Sequence, residues 1–463
     1  MFYLLFRLLA RVMLRLFFRR IEVEGRSRVR AEGPVLFVAN HANALIDPLL
    51  LITTLRRRVT LTAKNVLARN PLLGLLQYGL GVVTFHRRQD VGKGADIRQN
   101  VQALERCRQV LAQGAALCIF PEGVSHSDPH MRTFQTGAAR IALDYVKKDG
   151  NPGGLVVVPV GLLYTEKDRF RSAIWLRYGE AFDVGQWLAE HPDANSQALT
   201  EELRKRVEEI TLNYETRREI LILTWGAEIL GTQAAPPSPL GWQERPVAEW
   251  FSLLSRLQEG YRKLQQTHAA EVEAATSRIR SYRAELKRLG IEPGEVYLPP
   301  HFWKALLFAI REVELLLIGA LPALYGAVNH AGPYFVVKKI ARASSTDKDH
   351  WATNVVYPSF VVFPLFYMLQ IGAAWIFLPA LWAALYTLSL PYFGAVALLY
   401  GDRMKATWRR LRTFLYFRRH PELQKILAQE GSEIIQAIRD LGEKLVDYDF
   451  RLAAKNWLRI PPH

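Results

Sequence analysis

The chain has 463 residues, 60 Lys and Arg against 44 Asp and Glu, and a formal net charge of +16. That length is too great for one compact core, so two or more folded units are expected. A charge this large calls for an anionic partner class, nucleic acid, an acidic membrane surface or a phosphorylated substrate, and the eleven Trp with long apolar runs favour membrane over nucleic acid. Only two cysteines are present, Cys107 and Cys118. With no secretory cleavage pattern they read as reduced core thiols, which excludes a disulfide-stapled scaffold.

Residues 1–20, MFYLLFRLLARVMLRLFFRR, place Arg7, Arg11, Arg15 and Arg19 at a spacing of four on a very apolar body. This predicts an amphipathic helix lying in a membrane interface. A signal peptide is disfavoured by arginines inside the apolar stretch, and a spanning helix by Arg11 at its centre.

Residues 21–185 alternate strand-like and helix-like segments. Strands are expected at Ile21–Val23, Val35–Val38, Val59–Thr62, Val82–Phe85, Ala116–Phe120, Leu155–Val160 and Ile174–Tyr178. Amphipathic helices are expected over Asp96–Gln113, ended by Gly114, and over Phe134–Lys147. Such alternation argues for an α/β fold, a mostly parallel sheet flanked by helices.

Four polar blocks fall at strand ends, where open α/β sheets collect reacting groups. The first is NHANALIDP, in which His41 is followed by Asp47, the kind of partner that fixes a catalytic imidazole's tautomer. A structural histidine beside a turn would look the same. The second is GVVTFHRRQD, where Arg87 and Arg88 make a phosphate clamp or a pair of surface charges. The third, FPEGVSHSD, carries Glu122 and Gly123, a carboxylate able to hold a hydroxyl or an arginine, or a plain turn. The fourth, VVVPVGLLY, has Pro159 within a strand, which predicts an edge or a bulge.

The second half carries no catalytic motif. Ala198–Leu230 reads as one long helix, AAPPSPLGW as a Pro-rich boundary, and 244–289 as a charged helical pair that is either a partner surface or a solvated cover. Leu315–Val328 is a 14-residue apolar run, short for a span. Val355–Tyr400 holds no Asp, Glu, Lys or Arg and is long enough for two passes turning near Leu378-Pro379. Lys338, Lys339, Arg342 and Lys348 precede that run, and Arg403, Lys405, Arg409 and Arg410 follow it. Positive flanks on both sides call for a hairpin with cytosolic ends. The shorter run then cannot be a single crossing, and is expected to be re-entrant, interfacial or a buried core helix. All three crossing, with one flank breaking the charge rule, is the alternative. The organisation is thus an interfacial helix (1–20), an α/β domain with trailing helix (21–235), a charged helical region (236–302), a membrane-associated region (303–400, hairpin 355–400) and a basic helical tail (401–463).

In their order and spacing the four blocks resemble the glycerolipid acyltransferase family, which acylates glycerol phosphates and lysophospholipids. The resemblance covers about residues 20–185. One departure matters: five residues separate His41 and Asp47, where the commonest family form has four. An offset of six on a regular helix turns about 240°, so the segment must leave regular helix between them. The five-residue spacing, FPEGVSHSDP and Phe170-Arg171-Ser172 are similar to a branch that acylates glycerol-3-phosphate or dihydroxyacetone phosphate. The resemblance implies His41 as general base, Asp47 as its orienting acid, and Arg87 with Arg88 on the acceptor phosphate. Glu122, Gly123 and Ser125 would shape the acceptor pocket. It implies acyl-CoA or acyl carrier protein as co-substrate, no further cofactor and no metal. Partners would be a glycerol-phosphate or lysophospholipid acceptor and anionic membrane lipids, at the cytoplasmic membrane with the catalytic domain on its cytosolic face. A lysophosphatidate acyltransferase and a non-catalytic lipid-binding membrane scaffold are the competing readings.

Overall fold

The structure is a computed structural model that describes residues 2–64, 71–86, 99–151, 153–234, 246–297, 302–344 and 351–445. It divides into two compact units, Met1–Asn213 with Phe335–Leu365, and Tyr214–Tyr334 with Phe366–His463.

The first unit is built on an eight-stranded sheet. Its strands are β1 (Arg20–Glu24), β2 (Val35–Ala39), β3 (Val59–Lys64), β4 (Val83–Phe85), β5 (Ala116–Ile119), β6 (Val156–Tyr164), β7 (Ala173–Tyr178) and β8 (Phe182–Asp183). The spatial order is β1-β7-β6-β2-β5-β3-β4, with β8 beside β6. From β6 to β4 all neighbours are parallel, while β7 and β8 run antiparallel to β6. The mostly parallel sheet expected from the alternation is therefore present. β8, with two residues, is too short to leave a periodic signal.

Every residue of β2 is buried. Alternate side chains face opposite sides of a strand. Val35, Phe37 and Ala39 enter one core with α1 (Phe2–Phe17) and α2 (Ile46–Thr54). Leu36 and Val38 enter the other. Past α3 (Pro71–Leu80), that second core is covered by α4 (Gln99–Ala112), α5 (Gly137–Asp149), α6 (Val184–Glu190) and α7 (Ser196–Glu208). Cover on both faces is why β2 reads as an unbroken apolar run. Gly114 ends α4 at φ +70°, its N–H on the Leu111 carbonyl at 2.8 Å.

Pro159 lies inside the sheet, not at an edge. It falls where β6 leaves its pairing with β8, at Val157↔Phe182, and takes up β7, at Val160↔Tyr178. A residue with no N–H fits the gap between two ladders, and its carbonyl accepts from Gly179 N at 2.8 Å. Gly161 is required by close approach, since a Cβ there would stand 2.6 Å from the Ile210 carbonyl oxygen.

The N-terminal helix differs from its expected orientation. Phe6, Ala10, Leu14 and Phe17 are core residues. Arg7 donates to the carbonyls of Leu55 and Arg56, and Arg11 to that of Thr53 at 2.7 Å. Two members of the basic stripe thus cap the C-terminal carbonyls of α2, where cations meet the negative end of the helix dipole. Arg15 and Arg19 stay exposed. The outward face is apolar, with Leu4, Leu5, Leu8 and Val12 exposed.

Ala198–Leu230 is not one helix. α7 stops at Glu208 and α8 (Arg217–Ala234) follows. Asn213 between them donates to Thr211 Oγ1 and accepts from Met131 N, so side chains replace the helical bonds there. One chain boundary between the two compact units falls at this break, at Asn213/Tyr214; residues 235–242 of the Pro-rich stretch AAPPSPLGW lie outside the described residues.

In the second unit, α8 packs with α9 (Val247–Thr267) and α10 (Ala269–Leu289). The α10 charges are paired internally, Arg278 to Glu433, Arg280 to Glu273 and Arg283 to Glu228 and Glu292. Three further helices, α11 (Phe302–Ser344), α12 (Trp351–Phe377) and α13 (Ala380–Arg419), are each long and apolar enough to cross a membrane. The break between α12 and α13 falls at Leu378-Pro379, as expected, but α13 runs on past Tyr400 to Arg419 before α14 (Pro421–Glu443). The Leu315–Val328 run is the middle of a 43-residue helix. It is no buried core helix, since Leu317 and Leu321 are 70% and 77% exposed. One of the charges that shorten the run in the sequence is neutralised in place: Glu312 takes a bidentate pair from Arg403 and a hydroxyl from Thr407.

Two outcomes follow from the packing. Arg11→Met keeps the stem but removes the cap on α2, and should lower the stability of the first unit by about 1 kcal/mol in a denaturant titration. Burial pushes the Cys107 thiol up to about 12, and burial with the Asp47 charge raises Cys118 further. The thiolate is the reactive form. Neither cysteine should therefore take up maleimide at neutral pH in the native protein, and both should once it is unfolded in detergent.

Candidate active site

β2 lies between β6 and β5, so its C-terminal end is flanked by the ends of both. Asn40 extends the sheet by one step with its side chain: its Nδ2 donates to Leu162 O at 3.1 Å and its Oδ1 accepts from Leu162 N at 2.8 Å. The chain then leaves regular structure from His41 to Leu45, and α2 begins at Ile46. The break demanded by a six-residue offset is thus present. It lets His41 and Asp47 meet although no helical face could hold both.

His41 Nδ1 lies 2.9 Å from Asp47 Oδ2. Asp47 is fully buried, whereas the His41 side chain is 14% exposed. The same Oδ2 accepts the Asn43 backbone N–H at 2.7 Å. The other oxygen, Oδ1, accepts the Tyr164 hydroxyl. Three donors satisfy a carboxylate that has lost its water. Because Asp47 only accepts, the imidazole carries its proton on Nδ1 and presents the Nε2 lone pair. Among the described residues Nε2 has no hydrogen-bond partner. The ring stacks on Phe120, with centroids 4.3 Å apart and planes at 24°, and is held from that side by the end of β5.

The FPEG turn braces the same loop. Glu122 Oε1 accepts the His41 backbone N–H at 2.7 Å. Glu122 Oε2 accepts from His126 Nε2 and from Arg132 N, the latter at 2.8 Å. His126 Nδ1 in turn accepts the Asp128 N–H at 3.1 Å. Glu122 therefore shapes the site by tying loops together, and its oxygens are occupied by the protein's own donors. Gly123 sits at φ +72°, a value that a residue with a Cβ resists. Ser125 is half-buried and makes no hydrogen bond to these groups among the described residues. Arg87 and Arg88 lie outside the described residues. The strand before them, β4, ends at Phe85, and His86 is locked to Asn100 by two hydrogen bonds of 2.7 and 2.6 Å.

Two residues of the site carry no distinct sequence signal. Tyr164 closes the VVVPVGLLY block and reads as one more strand residue. Burial first, and the Asp47 charge second, hold its hydroxyl well above the ordinary tyrosine range, so it is a donor at every physiological pH. Lys167 donates to the carbonyls of Ala42 at 3.2 Å and His126 at 3.0 Å, joining the first and third blocks under a positive charge. Only pairing of β6 with β2 could have drawn attention to either. Among the described residues no group of three or more His, Cys, Asp or Glu side chains is arranged to hold a metal ion.

The Acyltransferase family matches residues 20–163. An uncharacterized acyltransferase of Schizosaccharomyces pombe is 23% identical over 428 residues, 72% of this chain and 61% of that one. A 1-acyl-sn-glycerol-3-phosphate acyltransferase of Borreliella burgdorferi is 27% identical over 156 residues, 34% of this chain and 56% of that one. The matches therefore span less than two thirds of the length of these two relatives. Glycerol-3-phosphate O-acyltransferase 1 of Saccharomyces cerevisiae is 22% identical, over 94% of this chain and 70% of that one. Residues 20–163 thus match the Acyltransferase family, and curated relatives similar to this chain are named as glycerol-3-phosphate and 1-acylglycerol-3-phosphate acyltransferases.

Proposed function

We propose that the protein is a membrane-bound O-acyltransferase that moves a fatty acyl group from a thioester donor, acyl-CoA or acyl carrier protein, to a hydroxyl of glycerol-3-phosphate or dihydroxyacetone phosphate. The observation that carries this is the His41–Asp47 pair at 2.9 Å, with a fully buried acid behind an accessible imidazole. In this reading Nε2 takes the acceptor's hydroxyl proton as its oxygen attacks the thioester carbonyl. The C–S bond then breaks, and the proton passes from the imidazolium to the departing thiolate. A hydroxyl is a poor nucleophile at neutral pH, so a positioned base is what the reaction requires. We assign the acceptor phosphate to Arg87 and Arg88, which follow β4 in the chain, with Lys167 adding positive charge beside His41. Glycerol-3-phosphate is favoured over lysophosphatidate because the yeast relative named for it is similar along 94% of this chain, whereas the Borreliella relative named for the lipid acceptor matches 34%.

The membrane arrangement in this reading is a hairpin formed by α12 and α13 with both ends on the catalytic side, joined to a membrane-facing α1 surface of Leu4, Leu5, Leu8 and Val12. Three facts support it. Thr353, at the start of α12, is bonded to Asn43, and Arg409, near the end of α13, is paired with Glu295. Among the described residues before Phe302 no helix is a candidate span. Both ends of α11 then share one side, so in this reading the unbroken α11 lies along the interface and is not a single crossing.

Purified protein with labelled acyl donor should acylate glycerol-3-phosphate or dihydroxyacetone phosphate in preference to lysophosphatidate. His41→Ala should cost about 10²–10⁴ in kcat with the fold intact, and Tyr164→Phe about tenfold through the lost bond to a charged acid. Full activity in His41→Ala would end this reading, and lipid binding with no turnover in the parent protein would favour the scaffold. For the topology, epitopes placed within 345–350 and after Glu443 should be reached by protease from the same face of sealed vesicles.

A further inference from the structure

Among the described residues, Asn43 has a single side-chain partner, and it comes from a candidate membrane span. Thr353 Oγ1 donates to Asn43 Oδ1 at 2.8 Å across 310 positions of sequence. Asn43 is fully buried, and its Nδ2 meets no acceptor among the described residues. The residue holds Asp47 from both sides of its own backbone: its N–H donates to Asp47 Oδ2 at 2.7 Å, and its carbonyl accepts the Asp47 N–H at 3.2 Å. The helix that carries Thr353 is docked by more than this bond. Val356 is buried in the same core as Ile46 and Leu49. Phe360 stacks on Phe6 with centroids 5.9 Å apart and planes at 20°. Thr353 is also the first residue of the candidate span Thr353–Phe377.

We propose that Thr353 is a positioning residue for the His41–Asp47 pair, through which the membrane helix α12 sets the geometry of the catalytic turn. His41–Leu45 belongs to no strand and no helix. The orientation of its peptides is therefore set by side-chain anchors and not by a repeating backbone ladder. Without the Thr353 hydroxyl, the buried side-chain oxygen Oδ1 of Asn43 has no donor among the described residues, and the side chain with its backbone must shift to find one. Turning Asn43 moves the N–H that aims Asp47, and with it the acid that orients His41. The side chains around the turn that titrate or carry charge, Asp47, Tyr164, Glu122, His126 and Lys167, are unchanged by a substitution at 353. The consequence is that the catalytic pair is fully set only while α12 is docked, which ties turnover to an intact membrane segment. The kinetic arm of this inference rests on the acyltransferase reading; its chemical arm does not.

The test compares Thr353→Val, Thr353→Ala and Thr353→Ser in the full chain in lipid vesicles. Val and Ala remove the donor, and Ser restores it. Loss of one hydrogen bond in a positioning chain should lower kcat about tenfold in Val and Ala with KM changed less than about twofold, and Ser should stay within about twofold of the parent. Carbethoxylation of His41 by diethylpyrocarbonate, with His41→Ala subtracting the other histidines, reads the imidazole without turnover. Its half-modification pH should shift in Val and Ala and return in Ser. Parent-like kinetics and modification in both Val and Ala would overturn the proposal, as would a Ser variant impaired as badly as Val. If Val fails to fold, Ala against Ser decides. A parent with no acyl transfer but a modification curve that shifts in Ala and returns in Ser would sink the enzymatic reading and leave the positioning role standing.

Discussion

The site depends on one buried carboxylate. Asp47 has no contact with solvent, and an acid withdrawn from water costs several kcal/mol unless its oxygens are satisfied. The donors that satisfy it come from His41, from the Asn43 backbone and from Tyr164. That requirement brings the end of β2, the first turn of α2 and the end of β6 to one point. It also explains why α2 starts so late: a helix begun at His41 would carry Asp47 to the wrong face.

A second carboxylate does the same for the neighbouring strand. Glu122 gathers the His41 N–H, the Arg132 N–H and the His126 ring, so the loop after β5 is tied to the loop after β2. The imidazole is thereby gripped at its backbone by Glu122, at Nδ1 by Asp47 and over its face by Phe120. Groups held in advance need no rearrangement when charge develops, which is the main way a protein favours a transition state over its ground state.

The apolar N-terminal helix and the start of α12 both pack against this region. α1 contributes Phe6, Ala10, Leu14 and Phe17 to the core that contains Ile46 and Leu49, and α12 adds Val356 to it. The helix that bears Asp47 is therefore packed against segments that are otherwise composed for lipid. Two of the arginines that look like a lipid-facing stripe cap α2 instead, because the carbonyls of Thr53, Leu55 and Arg56 have no helical donors left and a guanidinium can supply them.

What the sequence determined by itself is local or periodic. Apolar runs at β2, β5 and β6 and helical spacing in α4 and α5 place the strands and helices. The offset from His41 to Asp47 implies a non-helical turn, and Leu378-Pro379 within the uncharged stretch 355–400 implies a break between two helices. All of these are readable because backbone geometry repeats along the chain. What only the tertiary structure decided involves partners far apart in the chain: Tyr164 on Asp47 across 117 positions, Thr353 on Asn43, Arg11 on Thr53 and Arg403 on Glu312. The interior position of Pro159 belongs here too, since it follows from the order in which strands pair. A side chain's residue type says what it can bond to. Strand order and helix docking decide which group stands within 3 Å of it, and neither leaves a period in the sequence.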